Sequence, residues 1–413
     1  MISSQMSDSS NKLKIFNDPI YGFISIPNPL IFDVIAHKYF QRLRRISQMG
    51  LSYLVYPGAH HTRFHHALGA MHLMQKAVRV LRFKGVEISP EEEQALYLAI
   101  LLHDIGHGPF SHAMEQSIVK GVHHESLSLK FMHALNGVFD GKLDLAIRIF
   151  TGNYERKFML QLISGQLDMD RMDYLRRDSF YTGVAEGSIN ADRLIQMMDV
   201  VDDRLVVEEK GIYSVEKFLV ARRLMYWQAY LHKTSYVAEL MLQQIFKRAV
   251  QVIGEGFNLQ ASEPLLHFLK NGAAAEFDEA DLELFSKLDD TDVLMALKQW
   301  QSCGDFVLEQ LCERILNRNL LKISLGDEKF TAADKEQAIA EVAEKYQISK
   351  AEASYFVYKG KIKNQAYSMD KEPICILKKD KTIADVVFVS DQLNLKALSK
   401  PVVKYYLCKP KLL

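Results

Sequence analysis

A chain of 413 residues with 51 basic and 51 acidic side chains has no net charge with which to attract a polyanion or an acidic membrane, so any anion site must be built locally. Hydrophobic residues at 48% and charged residues at 25% exclude a disordered or fibrous chain, and the length predicts two or three domains. No apolar run approaches the roughly 20 residues of a membrane span, residues 1–11 lack the marks of a secretory signal, and Cys303, Cys312, Cys375 and Cys408 are too scattered for a disulfide scaffold; a cytoplasmic protein with no membrane partner is expected.

The elements, in chain order, are mostly helical. Ile31, Ile35, Phe40, Leu43 and Ile46 recur at near-helical spacing and predict a helix over 29–49, stopped by Gly50. Ser89-Pro90-Glu91-Glu92 is a capping signature. The helix it opens runs through Ala95, Leu96, Leu98, Ala99 and Leu102, apolar nearly all round and so central to a core. Further helical patterns cover 159–177 and 215–252, with a short hairpin from 204–207 and 211–213 between them. After a softer stretch at 254–280 the helical pattern resumes over 280–321. The runs 373–377, 384–389 and 402–407 read as strands. The expected fold class is mainly α, with a smaller C-terminal α+β lobe: a helical core at 1–255, a helical extension at 256–321 and the lobe at 322–413.

Ten of the 14 histidines fall between His60 and His124. The local strings are Arg63-Phe64-His65-His66, His103-Asp104-Ile105-Gly106-His107 and His123-His124, joined later by Asp168-Met169-Asp170-Arg171. Imidazole and carboxylate are the ligands of a catalytic divalent metal whose remaining positions take water and substrate. His103-Asp104, ending an apolar helix, places two polar groups at the edge of a buried region, where a metal is an effective partner. From those two residues alone, a helix cap in which they bond each other is an equal alternative.

These strings, with Phe40-Gln41-Arg42-Leu43-Arg44, Tyr56-Pro57-Gly58-Ala59, His107-Gly108-Pro109-Phe110-Ser111-His112 and Ala229-Tyr230-Leu231-His232-Lys233, resemble the HD-domain phosphohydrolase superfamily. More narrowly, the chain is similar to the dGTPase-like deoxynucleoside triphosphate triphosphohydrolases, including the animal enzyme that joins a sterile-alpha-motif to an HD domain. The resemblance implies an HD-domain catalytic core at 1–255, with the metal site within 48–235. The metal ligands it implies are His66, His103, Asp104 and Asp170, holding one divalent ion (Fe, Mn, Zn, Ni or Mg), with additional Mg on the substrate phosphates. His107, His112 and His124 would surround the α-phosphate, with His112, beside Glu115, the general acid; the family usually carries Asp at the Glu115 position. Arg63, Arg171, Tyr174, Asp178, Arg222 and Tyr230 would meet phosphates and sugar, and Gln48 and Met49 the deoxyribose. Leu231 stands where the family has Gln, so base preference does not carry over. For Arg222 and Tyr226 taken alone, a solvated or interface face is the plainer reading.

The resemblance further implies a regulatory nucleotide site between subunits of a homodimer or homotetramer, at Lys14, Asn17, Arg44, Lys233, Arg318 and Lys322. Ala36 replaces the carboxylate that reads guanine there, and ordinary surface charge accounts for these residues equally well. The function expected is metal-dependent conversion of a dNTP and water to deoxynucleoside and tripolyphosphate. The alternatives are an HD phosphohydrolase acting on nucleoside monophosphates, cyclic nucleotides or alarmones, and a non-catalytic protein that binds nucleotides or single-stranded nucleic acid.

Overall fold

The computed structural model describes residues 14–110, 112–118, 122–272, 277–368, 372–391 and 398–411, with the side chains at 112, 115 and 116 outside that set. The Ser89 cap forms as its sequence predicts: Ser89 Oγ accepts from Glu92 N, Glu92 accepts from Ser89 N, and Pro90 takes the first helical position. The helix that follows, Pro90–Leu102, is buried continuously from Ala95 to Leu102. A surface apolar on every side needs neighbours on every side; they are the helices Arg63–Phe83, Asp144–Phe150 and Lys157–Ser164. Arg63–Phe83 packs in turn on Met169–Thr182, and Gly69 permits the approach. A Cβ at Gly69 would lie 2.0 Å from Asp173 Oδ1 and 2.2 Å from an Arg177 nitrogen.

Several long helical patterns divide into shorter helices, each break set by a capping residue. The 29–49 pattern parts at extended His37 into Pro29–Ala36, Lys38–Gln41 and a tight turn Arg42–Arg45; the His37 ring accepts from Tyr39 N. The 159–177 pattern parts at Gly165, and Asp168 caps the second piece, Met169–Thr182. The 280–321 pattern becomes Glu279–Phe285, Asp290–Trp300 and Phe306–Leu316, opened by Asp278, Asp289 and Asp305. Apolar spacing survives such breaks because consecutive helices present the same core face, while an N-cap carboxylate satisfies the donors of each new first turn. The 215–252 pattern is interrupted differently. Leu231 N bonds Tyr226 O at 2.7 Å, a widened π turn over Tyr226–Tyr230, before Lys233–Gly254 begins.

Strands β1 (Ile15–Asp18) and β2 (Gly22–Ser25) form an N-terminal hairpin too short to register as a periodic pattern. The expected hairpin at 204–213 lies one element earlier. β3 (Met198–Val201) pairs with β4 (Arg204–Glu208) around Asp202 and Asp203, both left-handed at φ 50° and 59°, whereas 211–213 opens the helix Ile212–Met225. In the tail, β5 (Lys322–Gly326), β6 (Tyr358–Asn364) and β9 (Val402–Lys409) form a sheet of order β5-β9-β6. β7 (Cys375–Leu377) and β8 (Ile383–Asp385) do not join it: β7 runs parallel to β4, with Val206 opposite Cys375, giving a second sheet of order β3-β4-β7-β8. The 384–389 run is only half strand, because Asp385 caps a helical turn at Val386–Val389. The fold is mainly α with a C-terminal α+β region, and one apolar cluster extends from Ile24 to Cys408. No helix among the described residues is long and apolar enough to cross a membrane.

Candidate metal centre and catalytic cavity

Three helix ends meet at one buried point. His66 lies in the first turn of Arg63–Phe83, His103 caps the end of Pro90–Leu102, and Asp170 lies in the first turn of Met169–Thr182. The Nε2 atoms of His66 and His103 are 3.1 and 3.3 Å from one Asp170 oxygen, and the three donor atoms fall within 4.8 Å of one another. Both Nε2 atoms are buried and make no hydrogen bond. The opposite ring nitrogens are occupied: His103 Nδ1 lies 2.6 Å from Ile100 O, and His66 Nδ1 lies 2.8 Å from Asp173 Oδ2. Two buried, unbonded imidazole nitrogens beside a carboxylate are costly without a further partner. A divalent cation is such a partner, and this donor set fits one.

The support behind His66 runs deep. Arg177 donates twice to Asp173, both at 2.9 Å, and its remaining nitrogen donates to Asp18 of β1 at 2.7 Å. Asp18 is 7% exposed and the other three residues of this chain are fully buried. Carboxylates placed in this way fix the tautomer of a metal-ligating histidine. Burial opposes an imidazolium at His66, yet the carboxylates of Asp170 and Asp173 outweigh it and raise its pKa to about 10. Burial likewise opposes the Asp170 carboxylate, which His103 and His66 hold well below the usual range.

Asp104 stands between this centre and a second group. It lies 3.5 Å from His103 Nε2, 3.9 Å from His66 Nε2 and 3.3 Å from His107 Nε2, and Arg63 donates to it at 2.5 Å. The rings of His107 and His124 stack at 3.9 Å, so Asp104, His107 and His124 form a second convergent set. Burial first, then the Arg63 charge, lowers the His107 pKa to about 3. The backbone of this loop hangs on buried Arg42, which donates to Ile105 O at 3.1 Å, His107 O at 2.6 Å and Leu288 O at 3.0 Å. Gly106 lets the loop lie against the next helix, since a Cβ there would meet His124 O at 2.2 Å.

A cavity of about 750 Å³ opens beside both groups. Of the residues expected around the metal, His103, Asp104 and Asp170 line it, as do His107 and His124. His66 stands behind them, fully buried. Gln48, Met49, Arg63, Arg171, Tyr174, Asp178 and Tyr230 line the same space. Gln48 Oε1 is buried there without a hydrogen bond. Arg171 is held by the buried Asp168, the cap of its own helix. Both oxygens of Asp178 are taken, one 2.6 Å from His61 Nε2 and the other accepting from Tyr230 at 2.7 Å, so this carboxylate anchors the tyrosine. Tyr226 and Tyr230, four residues apart at the two ends of the π turn, both reach the cavity; such turns recur at functional sites. Arg222 does not line this cavity but an adjoining one, which it shares with Arg171. The side chains of His112 and Glu115 lie outside the described residues.

Residues 63–178, which span all four expected metal ligands, match the HD domain family, and residues 189–262 match the HD associated region. The Bacillus subtilis protein YwfO is 36% identical over 317 residues, covering 75% of this chain and 71% of that one. The crystal structure of a phosphohydrolase from Bacteroides thetaiotaomicron is similar at a TM-score of 0.94 and 49% identity, across 97% of this chain and 100% of that one. The chain belongs to the HD-domain phosphohydrolase family. A deoxynucleoside triphosphate triphosphohydrolase SAMHD1 homolog of Dictyostelium discoideum is 32% identical over 264 residues. The chain spans about half of that relative, 51% of its length.

Within this HD-family fold the expected regulatory positions occupy two places. Lys14 lies over the Phe32 ring at 3.2 Å, Arg44 over the Phe64 ring at 3.6 Å, and Asn17 is exposed on β1 between them in sequence. Lys233 and Lys322 are exposed at the starts of Lys233–Gly254 and β5, and Arg318 donates to Leu54 O at 2.6 Å. Sequence reasoning missed Asp18, Asp173, Arg177, His61 and Asp168 as supports of the HD site. Asp173 and Arg177 had a signal, an acid and a base four residues apart on the helix that carries Asp170. Asp18 and His61 had none, because their partners lie 159 and 117 residues away.

Proposed function

We propose that this HD phosphohydrolase is a metal-dependent dNTP triphosphohydrolase, converting dNTP and water to deoxynucleoside and tripolyphosphate. The observation that carries the reading is a single cavity holding the His103/Asp170 edge of the metal centre, the cations Arg63 and Arg171, and the Gln48–Met49 wall. The kinship with deoxynucleoside triphosphate triphosphohydrolases supports it. His66, His103 and Asp170, with Asp104 adjoining, would hold one divalent ion; Fe, Mn, Zn, Ni and Mg all suit such ligands. A bound divalent ion supplies Lewis-acid polarisation of a phosphoryl oxygen and lowers the pKa of water.

The chain's own residues do the rest. Arg63 and Arg171, each held by a carboxylate, place fixed positive charge where α- and β-phosphate oxygens would lie, so little reorganisation is needed as charge develops. Tyr230, oriented by Asp178, and Tyr174, 6.0 Å from it ring to ring, wall the nucleoside end against water. His124 and His107, stacked beside Asp104, are placed to orient phosphate oxygens, and His112 with Glu115 is assigned the proton for the leaving 5′-oxygen. The six outlying residues Lys14, Asn17, Arg44, Lys233, Arg318 and Lys322 are assigned to a nucleotide site between subunits of a homo-oligomer, which light scattering with and without nucleotide tests.

The deciding experiment is incubation of metal-loaded protein with each of the four dNTPs, with products separated by chromatography. Deoxynucleoside and tripolyphosphate are expected. Monophosphate with pyrophosphate, or no turnover with any of the five metals, overturns the reading.

A further inference from the structure

The helix Asp290–Trp300 does not need Asp290 for its start. Asp289 is the cap, accepting from Thr291 N at 2.9 Å, and the Asp292 carboxylate closes the capping box. Asp290 is nevertheless only 8% exposed, and a buried carboxylate is costly unless its oxygens are bonded. They are bonded to two walls of the catalytic cavity. Oδ2 accepts from Ser47 N at 2.8 Å and Oδ1 from Phe110 N at 3.3 Å. Ser47 lies in a segment paired with 61–63: Arg63 N donates to Ile46 O at 2.9 Å and Gln48 N to His61 O at 3.0 Å. Gln48 and Met49, which line the cavity, follow directly. Phe110 is the corner of the other wall. Its carbonyl accepts from Ala113 N at 3.0 Å, where the His107 loop turns into the helix His112–Ser117. Its φ is 48°, a left-handed conformation that a bulky residue avoids and that persists only when its neighbours fix it. The walls meet at this point, since a Cβ at Gly50 would lie 3.9 Å from Phe110 Cδ1.

We propose that Asp290 is a positioning residue for the hydrolysis: one carboxylate sets the separation between the Gln48–Met49 wall and the loop that carries His107. The inference rests on the proposed triphosphohydrolase reading, in which the first wall meets the deoxyribose and the second the α-phosphate. A substrate gripped at both ends is aligned only if those ends keep a fixed distance, and an error of about 1 Å costs roughly 100-fold in rate. Backbone N–H groups bonded to a carboxylate make charge-assisted, directional contacts, which hold a segment more firmly than neutral ones. The turn that presents Asp290 is itself anchored, since Arg42 donates to Leu288 O at 3.0 Å and Arg45 pairs with Asp289. Arg42 also holds Ile105 O and His107 O, so residues 288–290 reach the His107 loop by two routes. Asp290 lies outside 63–178 and 189–262, the stretches that match the HD family. The helix Asp290–Trp300 is thereby part of the catalytic unit.

The test is hydrogen exchange of the metal-loaded protein, read by mass spectrometry of its peptides, beside steady-state kinetics. Asp290→Ala removes both acceptors. Asp290→Asn keeps the shape but turns an amide NH2 toward one of the two backbone donors. Asp290→Ala should speed exchange about tenfold or more in both 46–54 and 105–110, and Asp290→Asn in at least one of them. Neither should alter 67–80 or 169–177, on the helices Arg63–Phe83 and Met169–Thr182. Bound metal should be unchanged by elemental analysis, while kcat for the dNTPs falls roughly 10- to 100-fold. Phe110→Gly supplies a second check, since glycine takes a φ of 48° unaided. On that background Asp290→Asn should cost about threefold less in kcat than it does in the parent. If Asp290→Ala does not fold, Asp290→Asn decides alone. Exchange within about twofold of the parent in both segments, an equal rise in 67–80 and 169–177, lost metal or an unchanged kcat overturns the proposal. A parent that turns over none of the four dNTPs refutes the underlying reading instead, and the exchange rates still decide whether Asp290 holds the two walls.

Discussion

Arg177→Met tests whether the buried chain from Asp18 to His66 supports the metal centre. The substitution keeps the apolar stem and removes three charge-assisted hydrogen bonds, two to Asp173 and one to Asp18. Two buried carboxylates then lose their cation, a change that costs about 3–5 kcal/mol when a buried pair is broken from one side. Burial acts to raise the Asp173 pKa, yet Arg177 and His66 hold it down at about 2. Since an unfolded aspartate titrates near pH ~3.9, wild-type stability from this group is full above that pH and is lost as pH falls through 2. In the variant this acid-side loss should disappear, because Asp173 no longer needs to be charged in the folded state. Protonated Asp173 also holds the His66 tautomer less firmly, so metal affinity should fall roughly 10- to 100-fold. Urea unfolding across pH 2–7 reads the first effect, and titration with Mn or Co reads the second. A loss below about 1 kcal/mol with unchanged metal affinity would refute the reasoning, since that is the scale of an exposed pair.

Three further outcomes are expected. Arg42→Met should cost about 3 kcal/mol or more in urea unfolding, since three carbonyls that include Ile105 O and His107 O lose their donor; an unchanged midpoint would mean the loop does not hang on this side chain. Gly69→Ala should lower the thermal midpoint by several degrees through the 2.0 Å overlap with Asp173, and a neutral result would show that the two helices separate freely. His103→Ala and Asp170→Ala should each leave the protein folded by circular dichroism but at least tenfold depleted in metal by elemental analysis; full metal content in either would remove that residue from the centre.

The His66–His103–Asp170 cluster was legible because its residues sit in dense local strings, and because a polar pair closing an all-apolar helix is conspicuous without three-dimensional information. The Pro90–Leu102 helix was legible for the same reason, its cap being complete within four residues. The breaks at His37, Gly165 and Tyr226 were not, since apolar periodicity averages over a change of helix axis that keeps the same face inward. Nor was the partner of β4. Parallel pairing with β7 is a contact between residues 206 and 375, and nothing in either short run specifies the other. The Arg222 position shows the middle case. Its residue type marked it as a cation, but only the packing of the tail assigned it to the neighbouring chamber and not to the catalytic cavity.

That β4–β7 join bears on how the protein is made. While the ribosome is still translating the 168 residues between Val206 and Cys375, the outer side of the β3–β4 ribbon has no neighbour. At about 5–20 residues per second the wait is roughly 10–30 s, long enough for an open strand to pair with another nascent chain. Messages truncated ahead of β7 would therefore yield polypeptides prone to sticking edge to edge, however sound their catalytic half.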